Sequence, residues 1–238
     1  MGWPPPWLDV SAAPADPANT LAFDKFISIT PELHRYAVEH SSFRDGAVPE
    51  VEQAGEDMGD LAAMQIAGDQ AAFMTILVRA IRAHDALEVG TFLGYGALAI
   101  ARGLPDDGRL ICCELDEGYA ERAREHLQKA GLEERVEVRV GPALDTLRAM
   151  EQTEQFDFAF IDADKTEYID YFEEALARLR PNGLILIDNT LRGGTVLEPG
   201  DSETARVTAE LNDRLARDDR VDVALLGFAD GISMVRKR

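Results

Sequence analysis

Hydrophobic positions change rhythm near residue 85. Before it, apolar residues recur at helical spacing. NTLAFDKFISIT stops ahead of Pro31, and PELHRYAVEH opens with that proline at a first helical position. GDQAAFMTILVRAIRA (68–83) sets Phe73, Ile76, Leu77 and Ile81 near one helical face. The intervening segment 44–60 is polar, acidic and glycine-containing, and reads as a loop or a short helix. From residue 86, short apolar runs alternate with longer amphipathic ones. ALEVG (86–90), RLICCE (109–114), RVEVRV (135–140), FDFAFID (156–162), GLILID (183–188), VDVALLGF (221–228) and ISMVRK (232–237) read as strands. Stretches near 95–103, 117–130, 143–150, 167–180 and 203–218 read as helices.

This alternation predicts an α/β fold with a Rossmann-like sheet of seven strands, mostly parallel and covered by helices on both faces. Only ADG separates the last two strands. A turn that short cannot make a parallel crossover, so the final strand is predicted to run antiparallel. Residues 1–18, rich in proline and alanine, are expected to form a loose tail. Residues 19–238 are expected to form one domain, with helices over 19–83 and the α/β core over 84–238.

Composition narrows the partners. The chain has 238 residues, enough for a substantial core, with a formal net charge of -20 and a pI near 4.5. No excess of Lys and Arg is available to neutralise phosphates, which argues against nucleic acid and against an anionic membrane surface. The opening MGWPPPWLDVSAAPADPA lacks a basic stretch followed by an apolar run, so no signal peptide is expected, and no run approaches a membrane span. The two cysteines, Cys112 and Cys113, are neighbours on one strand and point to opposite faces, poorly placed to pair. Together these features predict a cytoplasmic protein.

Chemistry concentrates where strands end. LEVGTFLGYGALAIA places Gly90, Gly94 and Gly96 between a strand and a helix, where missing side chains let backbone approach a ligand. The spacing is G-x-x-x-G-x-G, not the G-x-G-x-x-G of dinucleotide enzymes. The second strand ends in Glu114, where an acid commonly holds a ribose diol. Glu88 is an acid inside the first strand, and it is expected to meet a charged or polar group of a cofactor. GPALDTL puts Gly141, Pro142 and Ala143 at the same sheet edge. Two further strands end alike, one in Asp162 and one in Asp188-Asn189. Were they neighbours, two carboxylates and a carboxamide oxygen would converge, a set suited to Mg2+ or another hard divalent cation. Lys165 follows three residues after Asp162 and would bring a base or a positive charge there; Asp164 is expected to point elsewhere, into an ion pair. From these residues alone, a nicotinamide oxidoreductase and a non-catalytic cofactor-binding protein stay open beside a metal-assisted enzyme.

Taken together, MQIAGDQAAF (64–73), LEVGTFLGYGALAIA (87–101), GPALDTL (141–147), FIDADKTEY (160–168), GLILIDNTL (184–191) and DGISMVRKR (230–238) resemble the cation-dependent class I S-adenosylmethionine (SAM) O-methyltransferases of the caffeoyl-CoA and catechol type, in their bacterial branch. The resemblance spans about residues 20–238. It implies the seven-stranded methyltransferase sheet, SAM and a divalent cation (Mg2+, Mn2+ or Ca2+) as cofactors, a catechol-like acceptor and a homodimer. It implies Asp162, Asp188 and Asn189 as metal ligands, and Lys165 with Asp162 as the catalytic pair. It also implies Met64, Glu88, Gly90, Thr91, Tyr95, Gly96, Glu114, Ala143 and Asp162 as the cofactor lining. Two positions depart from the family pattern. Gly96 stands where a serine is usual, and Arg192, in LRGG, stands where an aromatic residue is usual.

Overall fold

The structure is a computed structural model that describes residues 29–43, 45–153 and 155–238. The chain divides into two compact units, residues 1–36 and 37–238. The tail expected over 1–18 and the helix expected over NTLAFDKFISIT fall outside the described residues, except for its last two positions, Ile29 and Thr30. Helix α1 (Pro31–Glu39) begins at its proline, as the fixed φ of that residue favours.

The larger unit carries α2 (Val48–Glu56), a 3-10 turn (Gly59–Met64), α3 (Gly68–Ala80), β1 (Asp85–Val89), α4 (Tyr95–Gly103), β2 (Arg109–Glu114) and α5 (Glu117–Lys129). There follow β3 (Val136–Val140), α6 (Ala143–Ala149), β4 (Phe156–Ile161), a 3-10 turn (Lys165–Glu167) and α7 (Tyr168–Arg178). The chain closes with β5 (Leu179–Ile187), a 3-10 turn (Arg192–Leu197), α8 (Glu203–Leu215), β6 (Val221–Leu226) and β7 (Ile232–Lys237). The strands form one sheet in the order β3-β2-β1-β4-β5-β7-β6. β1 to β5 pair in parallel, and β7 runs antiparallel to both β5 and β6. The antiparallel closing hairpin is therefore as the three-residue ADG turn demands.

Strand alternation sends successive side chains into two cores. One face buries Cys112, Phe158, Phe160, Leu184 and Leu186 against Met74, Leu98, Ile100 and Leu127. The other buries Leu87, Val89, Cys113, Ile161 and Ile187 against Leu147, Tyr168, Phe172 and Leu211. The two cysteines thus belong to opposite cores, both unpaired. On α3, Phe73, Leu77 and Ile81 pack partly buried against the core as the apolar spacing predicts, but the most deeply buried positions lie beside them. Ala71, Met74, Thr75 and Val78 are buried, whereas Ile76 is 59% exposed. The cause is the close approach of α4. A Cβ on Gly103 would lie 2.7 Å from Val78, and the Thr75 hydroxyl donates to the Ala99 carbonyl at 2.8 Å, so small and polar residues line that contact.

Residues 59–80 have the length and hydropathy of a membrane span. They do not form one continuous helix: the 3-10 turn ends at Gln65, whose backbone is extended (φ -88, ψ 137), and α3 starts afresh at Gly68.

Candidate active site

Hydrogen bonds continue the parallel ladder one residue past each strand and align the ends that matter. The Gly90 amide donates to the Cys113 carbonyl (2.9 Å), Asp162 to Val89 (2.8 Å), Asp188 to Ile161 (3.0 Å) and Gly141 to Glu114 (2.9 Å). The sheet order reverses at β1, with β2 on one side and β4 on the other. In open α/β sheets the crevice at such a reversal, outside the carboxyl ends, is where ligands sit. The chemistry-bearing residues from β1, β2, β4 and β5 all stand along that crevice.

At its first half, backbone dominates. Gly90 has φ +91, and a Cβ there would lie 2.4 Å from the Asp162 carbonyl oxygen, so no other residue lets β1 and β4 finish this close. Glu114 accepts from the amides of Thr91 (3.1 Å), Phe92 (2.7 Å) and Asp116 (3.0 Å). It is thereby fixed against the turn that enters α4. Gly94 caps α4 in the left-handed conformation, and Tyr95 begins the helix, its hydroxyl donating to Glu52 of α2 at 2.8 Å. Ala143 opens α6 at the same edge. Glu88 is 1% exposed, and its Oε2 has no hydrogen-bond partner. Burial pushes its carboxyl up to about 8. The glycine at 96 has a direct cause here, because a Cβ on it would lie 2.3 Å from Glu88 Oε1.

At the second half, side chains dominate. Lys165 Nζ lies 2.8 Å from Asp162 Oδ1 and 5.4 Å from the centroid of the Tyr168 ring. Burial, reinforced by the nearby Asp188 charge, lifts the Asp162 carboxyl to about 7 against the opposing pull of Lys165. Asp188 accepts from Gln70 Nε2 at 2.7 Å and from the Asn189 amide at 2.6 Å, and burial raises its pKa too. Asn189 is left-handed at φ +53. Among the described residues no three His, Cys, Asp or Glu side chains gather as a metal cluster. The donor set here is two carboxylates and one carboxamide.

One sequence expectation needs correction. Among the described residues Asp164 makes no ion pair; it accepts from the Thr166 amide (2.9 Å) and hydroxyl (2.8 Å) and so caps the Lys165 turn. The segment read as a loop or a short helix carries α2, a short helix with Val51 buried in the core. Met64 closes the 3-10 turn before α3 and is 48% exposed. Gln70 and Tyr168 are site residues that local pattern does not mark. The partner of Gln70 lies 118 positions away in the chain, and Tyr168 is fully buried with its hydroxyl unpartnered. A separate cavity of about 570 Å3 lies between α8 and the β6–β7 hairpin, lined by Asn212, Leu215, Val221 and Ser233 and containing none of the strand-end residues.

With this arrangement in view, comparison with known proteins decides the family. The O-methyltransferase family model matches residues 38–238. The chain belongs to the O-methyltransferase family. It is 31% identical to a probable caffeoyl-CoA O-methyltransferase 1 of Dictyostelium discoideum, over 90% of this chain and 96% of that protein. It is 32% identical to caffeoyl-CoA O-methyltransferase 2 of Zea mays, over 87% of this chain and 83% of that protein. The fold matches an O-methyltransferase from Bacillus cereus in complex with SAH (TM-score 0.81, 33% identity, 87% of this chain and 97% of that one). It also matches an O-methyltransferase involved in tomaymycin synthesis from Streptomyces achromogenes, in complex with SAM (TM-score 0.81, 30% identity, 87% and 96%). This O-methyltransferase is therefore a SAM-dependent enzyme of the caffeoyl-CoA O-methyltransferase type, which removes the oxidoreductase reading.

Proposed function

We propose that this enzyme methylates one hydroxyl of a catechol-type small molecule in a reaction that depends on a divalent cation. The observation that carries the reading is the convergence of Asp162, partly buried, and Asp188, buried, at adjacent strand ends, both held above the usual carboxylate range. Burial raises both carboxyls and the Asp188 charge raises Asp162 further, so a cation placed between them relieves the cost of ionising them. Asn189 adds a neutral oxygen, and hard oxygen donors of this kind suit Mg2+, Mn2+ or Ca2+. The cofactor side fits as well. The unpartnered Oε2 of Glu88 suits the cationic methionine portion of SAM, and Glu114 suits a ribose diol.

When bound, SAM supplies the electrophilic methyl group, and a divalent cation lowers the pKa of a coordinated hydroxyl. The protein's own residues do the rest. Asp162, Asp188 and Asn189 hold the cation and so fix where the acceptor hydroxyls lie. Gln70 orients Asp188 through its amide. Lys165 Nζ, paired with Asp162, is placed to take the hydroxyl proton or hold the oxyanion. Met64, Thr91, Tyr95 and Ala143 complete the proposed cofactor lining, with Tyr95 braced by Glu52. Holding the two reactants in line accounts for much of the rate.

The test is methyl transfer from SAM to a panel of catechols, with Mg2+ and with EDTA. Product that appears only with the cation supports the reading. Equal turnover in EDTA overturns the cation dependence, and turnover on monohydroxylated phenols but not catechols overturns the acceptor class.

A further inference from the structure

Arg192 stands beside this site and is only partly committed. It follows Asn189 by three residues, at the head of the 3-10 turn Arg192–Leu197. Helix α8 packs on this turn and also on the Lys165–Glu167 turn, so one helix joins the arginine segment to the lysine segment. The arginine is held in the left-handed region, φ +50, which a residue with a Cβ rarely adopts. Its loop is fastened around it. The Gly193 amide donates to Asp230 Oδ1 (2.5 Å), Leu191 to the Asp230 carbonyl (3.0 Å), and the Thr195 hydroxyl to the Arg192 carbonyl (2.7 Å).

The guanidinium itself has little to hold. Its one side-chain bond is a 3.3 Å contact from Nη2 to the Thr204 hydroxyl in the first turn of α8. Its Nε is buried with no acceptor. Among the described residues no carboxylate lies within 4 Å of it, although this chain carries 44 acidic side chains and most of its surface arginines are paired. A partly buried guanidinium with spare donors, three residues beyond Asn189, is a receptor for a planar anion.

Resting on the catechol reading above, we propose that Arg192 selects the acceptor, and that the preferred acceptor is a catechol bearing a free carboxylate. The planar fork of Arg192 holds the carboxylate while the diol sits at Asp162, Asp188 and Asn189. An ester, which keeps the shape but not the charge, loses that contact. A catechol amine meets the arginine as a like charge.

The experiment compares 3,4-dihydroxyhydrocinnamate, its methyl ester and dopamine, with Mg2+ and SAM. kcat/KM is measured for wild type, Arg192→Met and Arg192→Lys. Acceptor affinity is measured by calorimetry in the presence of SAH and Mg2+. The wild type is expected to prefer acid over ester by about tenfold or more, the scale of one charge-assisted hydrogen bond. Arg192→Met is expected to bring the acid-to-ester ratio near one in both affinity and kcat/KM, and Arg192→Lys to recover part of it. SAH titration of each variant shows that it is folded. A wild type that methylates acid and ester alike overturns the proposal alone. A ratio unmoved in Arg192→Met, even if metal affinity falls, also overturns it and leaves the arginine as a balancing charge. Failure of all three catechols while SAH binds overturns the catechol reading and this inference with it.

Discussion

The two halves of the crevice solve the same problem by different means. At β1 and β2 an acid, Glu114, is held by three main-chain amides. At β4 and β5 the acids are held largely by side chains, Asp162 by Lys165 and Asp188 by Gln70. Main-chain donors stay put when a ligand enters, so the first half is a preformed cradle. Side-chain partners can be exchanged, so the second half is suited to residues that must trade a proton or a cation during turnover. Glu88 lies between these styles, buried like the second group but left with an unpartnered oxygen beside the glycine turn of the first.

If that contrast is right, the largest effect comes from removing the exchangeable cation of the second half. Lys165→Ala is expected to lower kcat by about 10²–10⁴-fold, the usual worth of a positioned acid or base. SAM affinity, measured by titration, should stay close to wild type. A variant with unchanged kcat would remove the lysine from the chemistry. Gln70→Leu acts one step further out. Loss of its bond to Asp188 should weaken divalent-cation affinity by about 10–100-fold, as outer partners of metal ligands do. Mg2+ titration of initial rates reads this directly, and an unshifted half-saturation point would mean that Asp188 needs no orienting.

Smaller effects probe the glycine turn. Gly96→Ser restores the residue usual in the family, yet its Cβ would press on Glu88 Oε1. In the ligand-free protein this should cost about 1–3 kcal/mol, visible as a Tm lower by several degrees. A neutral or higher Tm would show that Glu88 turns aside freely. Glu88 also predicts a pH dependence. Its folded-state pKa is near 8, above the ordinary 4.5, because burial disfavours the charge. Its neutral form therefore stabilises the fold fully below about pH 4.5, and that contribution is lost as pH rises through about 8. Asp162, lifted to about 7, acts with the same sign in the metal-free protein. Glu88→Gln should flatten the fall in Tm between pH 5 and pH 9 by an amount worth roughly a few kcal/mol. A parallel fall in the variant would mean that Glu88 is already ionised at neutral pH.

The same contrast explains what could be read in the chain. Strand ends declare themselves locally, because an apolar run that stops in Asp162 or in Asp188-Asn189 is visible without a partner. The glycines at 90 and 94 are equally visible, since only a backbone at positive φ needs them. The closing hairpin followed from the length of one turn. Gln70 was silent, because a neutral side chain near the start of a helix carries no mark of an aspartate 118 positions later. On α3 the apolar spacing marks Phe73, Leu77 and Ile81, which pack on the core, but also Ile76, which does not, because α4 comes close enough to demand alanine and threonine at the most buried positions. Gly96 looked like a lost hydroxyl, and only the packing of Glu88 shows what occupies its place. Asp164 looked like a partner for a cation and serves a turn instead.

The central claim is that the paired strand ends hold one divalent cation. It is tested most directly by titrating Mn2+ into the protein and following free Mn2+ by electron paramagnetic resonance, for wild type, Asp162→Asn and Asp188→Asn. The account predicts one site per chain in the wild type, weakened by more than about 100-fold in each variant, with SAH binding retained in Asp188→Asn. Mn2+ bound equally well by all three proteins, or by none, would contradict it.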